Sequence, residues 1–276
     1  MAIETMTATV SFATSTSPHV ANFWDTLASE WVKLTSLRFT KITLGLGLGI
    51  SLATAAIANV AMGSTQTAWP EEFHPATFSM VGNIFSLIIY SVFGVMVMAG
   101  EYSSGMMRLT LTATPRRGRI FLAKLILVSL IVLVFGLITT VGMFLVTQAI
   151  LGAYGIPLAG LGDADTRRLV LGLGAAMPFF PIIGLAVGAL LRNTAGAITT
   201  VLGLLWLPVI FGEFLPMWWR ENVMSLLPGN ALDSLTIAHI EDSPAFSDPA
   251  AGAAIAATWL VAVVGAAYLT FLRRDA

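Results

Sequence analysis

Six apolar stretches dominate the hydrophobic pattern of the chain, at residues 42–62, 76–99, 120–147, 169–191, 194–212 and 251–272. A membrane-crossing helix needs about 20 predominantly apolar residues, and each stretch suffices for one crossing. The fourth and fifth are parted only by Arg192 and Asn193. Run together they are about twice too long for a single crossing, which predicts a tight hairpin at that pair. Lys124 alone is charged within a stretch, one turn from its end, and its alkyl stem is expected to carry the ammonium to the interface.

Between and before these stretches the pattern changes. Residues 1–20 are rich in Ser, Thr and Ala without periodicity and read as a disordered tail. Residues 21–40 have helical periodicity, with Trp24, Leu27, Trp31, Leu34 and Leu37 on one side and Asp25, Ser29, Glu30, Lys33 and Ser36 on the other. This is an amphipathic helix set before a span, with Trp24 and Trp31 to hold it at the headgroups and in contact with membrane lipids. Asp165-Thr166 is expected to cap the fourth span. In 213–249, Met217-Trp218-Trp219, Val223-Met224 and Leu226-Leu227 are apolar and Pro228-Gly229 breaks the chain. A second short helix fits 231–240, so two short helices are expected in the outer leaflet before the last span. The fold class is all-α integral membrane protein, with residues 21–276 as one transmembrane domain.

Composition agrees with that class and narrows the chemistry. Of 276 residues, 57% are hydrophobic, with only 14 Lys and Arg against 15 Asp and Glu. A net charge of −1 provides no basic surface for nucleic acid. The absence of Cys excludes disulfides, thiolate metal sites and thiol nucleophiles. Cytoplasmic loops carry the excess of Lys and Arg. With the N-terminus inside, eleven of the 14 basic residues fall on the cytoplasmic side. Both termini are therefore expected in the cytoplasm, with the protein integral to the plasma membrane. The first stretch starts too far along the chain for a secretory signal, so the Ala56-Ile57-Ala58 sequence is not read as a cleavage site.

Catalytic patterns are missing. There is no Gly-Lys pair and so no phosphate loop, and His19, His74 and His239 are isolated from metal-ligand spacings. Gly160-Leu161-Gly162-Asp163 imitates an intramembrane protease motif, yet no second carboxylate lies within a span to share its proton. The spans offer no ionisable relay for ion-coupled transport. Gly45-Leu46-Gly47-Leu48-Gly49 and Gly184 to Gly188 are small-residue patterns, expected to pack helices within the chain.

The segment joining the second and third spans holds most information: Glu101-Tyr102-Ser103-Ser104-Gly105-Met106-Met107-Arg108, then Pro115-Arg116-Arg117-Gly118-Arg119 and Lys124. Glu101 favours a helix start through the helix dipole and Pro115 ends the helix, giving a short cytoplasmic helix with a basic exit. Here the chain resembles the permease subunits of type-2 ATP-binding-cassette exporters. The resemblance covers nearly the whole chain and is most specific from Glu101-Tyr102-x-x-Gly105 to Pro115-x-Arg117-x-Arg119-x(4)-Lys124. Leu227-Pro228-Gly229-Asn230-Ala231 is a weaker echo, and Met106 stands where many members have Thr.

The resemblance implies an ATP-driven permease whose coupling helix docks a separate soluble ATPase through Glu101, Tyr102, Gly105, Met106, Arg108, Arg116 and Arg117. It implies two ATPase copies, which bind ATP and Mg, and a second permease subunit in a homo- or heterodimer. This chain itself would be no enzyme and hold no cofactor. The uncharged spans point to an apolar or amphipathic substrate such as a lipid, drug or peptide. The rival class is a non-transporting membrane anchor or assembly subunit that recruits a cytoplasmic partner; a neighbouring gene for a P-loop ATPase would discriminate against it.

Overall fold

The computed structural model describes residues 22–65, 74–113, 116–236 and 248–274, and the ordered elements among them are all helical. The tail at 1–20, Pro115 and the end of the expected helix at 231–240 lie outside those residues. The chain opens with α1 (Phe23–Ser36), whose start is fixed by a capping box. Asn22 Oδ1 accepts from the Asp25 N–H at 2.9 Å, and the Asn22 N–H donates to Asp25 Oδ2 at 2.8 Å. Leu37 is extended and separates α1 from α2 (Arg38–Thr65). There follow α3 (Pro75–Ser79), α4 (Asn83–Ser103), α5 (Met106–Ala113), α6 (Arg117–Ala153), α7 (Ala164–Ala176) and α8 (Phe179–Leu191). The order closes with α9 (Thr194–Phe211), α10 (Met217–Asn222), α11 (Pro228–Thr236) and α12 (Pro249–Arg273).

Among the described residues, six helical units are long and apolar enough to cross a membrane: α2, α4, α6, α7 with α8, α9 and α12. The second begins at Asn83 rather than 76, because Pro75 opens the separate short helix α3 and Met80 to Gly82 turn. At 37 residues α6 is about 55 Å long, well beyond the ~30 Å hydrocarbon layer. The fourth unit is interrupted at Met177-Pro178. Pro178 and Pro181 lack N–H groups, so the carbonyls of Gly174 and Met177 lose their usual helical donors. Its cap is Asp163, not Asp165: Asp163 Oδ2 accepts from the Thr166 N–H and hydroxyl, each at 2.9 Å, and Asp165 sits in the first turn. These bonds hold the exposed Asp163 carboxyl below its ordinary range. The hairpin at Arg192-Asn193 forms as expected, with Arg192 left-handed (φ 52°) and Asn193 Oδ1 capping α9 through the Gly196 N–H at 2.7 Å. Pro228 does not break the chain; it occupies the first position of α11, where no N–H is needed.

The centre of the bundle is the α4–α8 pair. A Cβ at Gly94 would overlap the Pro181 carbonyl, and one at Gly184 would lie 2.8 Å from the Ser91 carbonyl, so bare backbone permits the approach. The second small-residue pattern thus packs within the chain, as expected. The first does not: Gly45 and Gly49 face open space, and only Gly47 meets a neighbour, the Tyr90 ring. The main apolar core joins α1, α4, α5, α6, α8 and α12 through residues such as Leu34, Phe93, Met98, Met107, Phe121, Leu185 and Phe271. A second joins α4, α8, α9, α11 and α12, and a third lies between α2, α6 and α7.

Candidate functional site

Four charged side chains meet where α1, α4 and α6 converge. Lys124 Nζ donates to Glu30 Oε2 and to Glu101 Oε1, both at 2.7 Å. Lys33 Nζ donates to Glu30 Oε1 at 2.7 Å and to Glu101 Oε1 at 2.8 Å. Lys124 is wholly buried and Glu30 nearly so. Removing each such ion from water costs several kcal/mol, which only close pairing offsets; two carboxylates and two ammoniums balance here. Burial by itself would raise the Glu30 carboxyl, but Lys124 and then Lys33 prevail and hold it below its ordinary value. Burial likewise opposes the charge on Lys33, and its bonds to Glu101 and Glu30 prevail and raise it. Glu101 Oε2 is buried with no hydrogen-bond partner among the described residues.

This tetrad corrects three expectations. The periodicity puts Glu30 and Lys33 on the polar side of the amphipathic helix, opposite Leu34, yet Thr26, Glu30 and Leu34 form the buried stripe of α1. Trp24 and Trp31, by contrast, are exposed and available to lipid headgroups. Lys124 does not reach for the interface; it lies about 10 Å along α6 and points inward. Glu101 does not open the short helix, which starts at Met106; it occupies the last turn of α4 with its carboxylate in the tetrad. At 8% exposure it offers an incoming partner no free surface. Only Lys124 carries a sequence signal for this cluster, since a charge inside an apolar span faces the protein interior and pairs there.

The tetrad reaches α5 through Thr110, whose hydroxyl oxygen accepts from Lys33 Nζ at 3.4 Å. Gly105, at φ +72°, turns the chain from α4 into α5 in a conformation that disfavours any side chain. Met107 is 1% exposed and anchors α5 in the core, while Leu109 on the opposite face is 70% exposed. Met106 and Arg108 share that exposure. Tyr102 is half-buried beneath the Arg192 guanidinium, 5.1 Å from the ring centroid. Arg117 and Arg192 both donate to the Arg274 carbonyl, which ties α6 and the α8–α9 hairpin to the end of α12. Arg116 is exposed at the start of α6. Of the residues expected to dock a partner, Met106, Arg108 and Arg116 are thus surface groups, Gly105 shapes the backbone, and Glu101, Tyr102 and Arg117 are engaged within the chain.

No group of three or more His, Asp or Glu capable of holding a metal ion occurs among the described residues. Ion pairs thus join the amphipathic helix α1 to two apolar spans, α4 and α6. Together with the apolar helices, that arrangement defines a helical integral membrane protein. Residues 26–214 match the profile of the ABC-2 family transporter proteins, and the chain belongs to that family. It is an integral membrane transport permease, a family that associates with an ATP-binding-cassette ATPase. The comparison with curated proteins found no match.

Proposed function

We propose that the protein is the membrane subunit of an ATP-driven exporter, energised by two copies of a separate soluble ATPase docked on α5. The observation that carries this reading is α5 itself, fixed to the core by Met107 and presenting Leu109, Met106 and Arg108 to solvent. An apolar side chain exposed beside a basic one suits an anchor for a protein groove. The tetrad then passes a displacement of α5 and α1 to α4 and α6, shifting the spans between inward and outward exposure. A second permease subunit covers lipid-facing helices such as α2, where Gly45 and Gly49 leave the backbone accessible. The termini, α1 and α5 face the cytoplasm, and α10 and α11 face outward, as the distribution of Lys and Arg supports. The substrate is apolar or amphipathic.

Leu109→Glu tests the docking directly, because a carboxylate on an exposed face leaves the fold intact and disrupts an apolar anchor. Co-purification of the cognate ATPase should fall at least tenfold at equal membrane abundance of the permease, whereas Trp24→Ala should retain it. Full retention by Leu109→Glu refutes docking on α5 and favours a membrane anchor whose partner binds elsewhere.

A further inference from the structure

At the end of the bundle opposite α5, a cavity of about 280 Å³ opens between the start of α4, the break between α7 and α8, the far half of α9, and α11. Met177, Phe180, Leu205 and Val209 give it apolar walls. Two polar groups line it, Asn83 from α4 and Asp233 from α11. Asn83 Oδ1 is buried with no hydrogen-bond partner among the described residues. No ion pair to Asp233 occurs among them either. The nearby cation of Arg168 is turned away, donating to the carbonyls of Leu235 at 2.8 Å and Ser234 at 2.9 Å. Asp233 is half-buried, and burial pushes its carboxyl up to about 6, so at neutral pH the cavity holds a carboxylate with no countercharge among the described residues.

An anionic ligand would be repelled by that carboxylate. A neutral one would leave it uncompensated. An ammonium group supplies up to three N–H donors and a positive charge to two acceptors that otherwise have none. We infer that this cavity is a binding site for a protonated amine carried on an apolar body, with the ammonium on Asp233 and Asn83 and the apolar part against Phe180, Met177, Leu205 and Val209. This names the substrate class for the export reading and rests on that reading only for its link to transport. Binding itself requires no ATPase.

The test uses the purified full chain in phosphatidylcholine nanodiscs, with 1-naphthylmethylamine and the neutral 1-naphthalenemethanol as probes in calorimetric titration. The amine should bind saturably at pH 7.5 and at least tenfold more tightly than the alcohol. Asp233→Asn should remove that preference while leaving weak binding of the alcohol, which also reports that the site is folded. Ala176→Phe, which fills the cavity, should abolish both. Lowering the pH from 7.5 to 5 should weaken amine binding as Asp233 takes up a proton. Repeating the titration in phosphatidylethanolamine discs separates sources: competition identifies a lipid headgroup amine, and undiminished binding a free amine, the ammonium–carboxylate pair standing in both. Equal binding of amine and alcohol, or amine binding unchanged by Asp233→Asn, overturns the assignment. Such a failure leaves ATPase docking on α5 untouched, since co-purification tests that separately.

Discussion

Replacing Lys124 with Met removes the ammonium at the centre of the tetrad while keeping an unbranched side chain of similar length. Glu30 Oε2 then loses the partner it holds at 2.7 Å, and Glu101 Oε1 keeps only Lys33. Breaking a buried pair by deleting one member costs about 3–5 kcal/mol, because the remaining charge stays desolvated. At about 2–4 °C per kcal/mol for a chain near this size, the midpoint of thermal unfolding should drop by roughly 6–20 °C. Trp fluorescence in a fixed detergent reads the transition. Glu30→Gln in the same background completes a double-mutant cycle, and the two changes together should cost less than their sum, since the second removes the charge the first had stranded. The folded Glu30 lies below its ordinary value of 4.5, so its contribution is present above that pH and lost as pH falls through the lowered value. Lys33 lies above its ordinary 10.5, so its contribution is present below that pH and lost only as pH rises through the raised value. The contributions of Glu30 and Lys33 are therefore flat from about pH 5 to 10. A Lys124→Met midpoint within a degree or two of wild type, or strict additivity with Glu30→Gln, would refute the view that these four charges form one buried unit. Glu101→Lys is ruled out as a docking probe on the same grounds, since it places three ammoniums against a single carboxylate.

Asp233→Asn should stabilise the protein by about 3 kcal/mol at pH 8, and by no more than about 0.6 kcal/mol at pH 4. The folded carboxyl titrates near 6 against an ordinary 3.8, so its penalty is absent below 3.8 and complete above about 6; unfolding midpoints across that range check it. Gly105→Ala should lower stability by about 1–2 kcal/mol through its positive φ, measured by the same unfolding assay, without emptying the tetrad. In this Cys-free chain, single Cys placed at Gly160 should react with an impermeant thiol reagent on intact cells, and Cys at Thr112 and Asn193 should not; the reverse pattern inverts the orientation.

The spans were legible because hydrocarbon thickness sets a minimum apolar length that few other structures require, and the Arg192-Asn193 hairpin followed from the same arithmetic. The tetrad was not. Periodicity divides α1 into two faces but does not say which faces protein, because a helix at the membrane surface has lipid, water and protein around it at once. Trp24 and Trp31 are exposed as a headgroup anchor requires, while Leu34 from the same apolar side is buried beside Glu30. Glu30, Lys33, Glu101 and Lys124 are separated by up to 94 positions, and only the packing of α1 on α6 brings them within bonding distance. The interruption at Met177-Pro178 had a sequence signal in two prolines three residues apart, but hydropathy averages over it. Gly45 and Gly49 match the packing pattern of Gly184 and Gly188, and composition alone does not tell an occupied groove from an open one.

A span cut at Met177-Pro178 packs as two short halves. The α8 half is packed along α4, which carries Glu101 into the ion-pair cluster. The α7 half packs instead on α6 and α11, and the prolines leave the helical ladder interrupted between the two halves. The cavity beside that break therefore has walls drawn from two separately packed halves, Leu173 and Ala176 from one and Phe180 from the other.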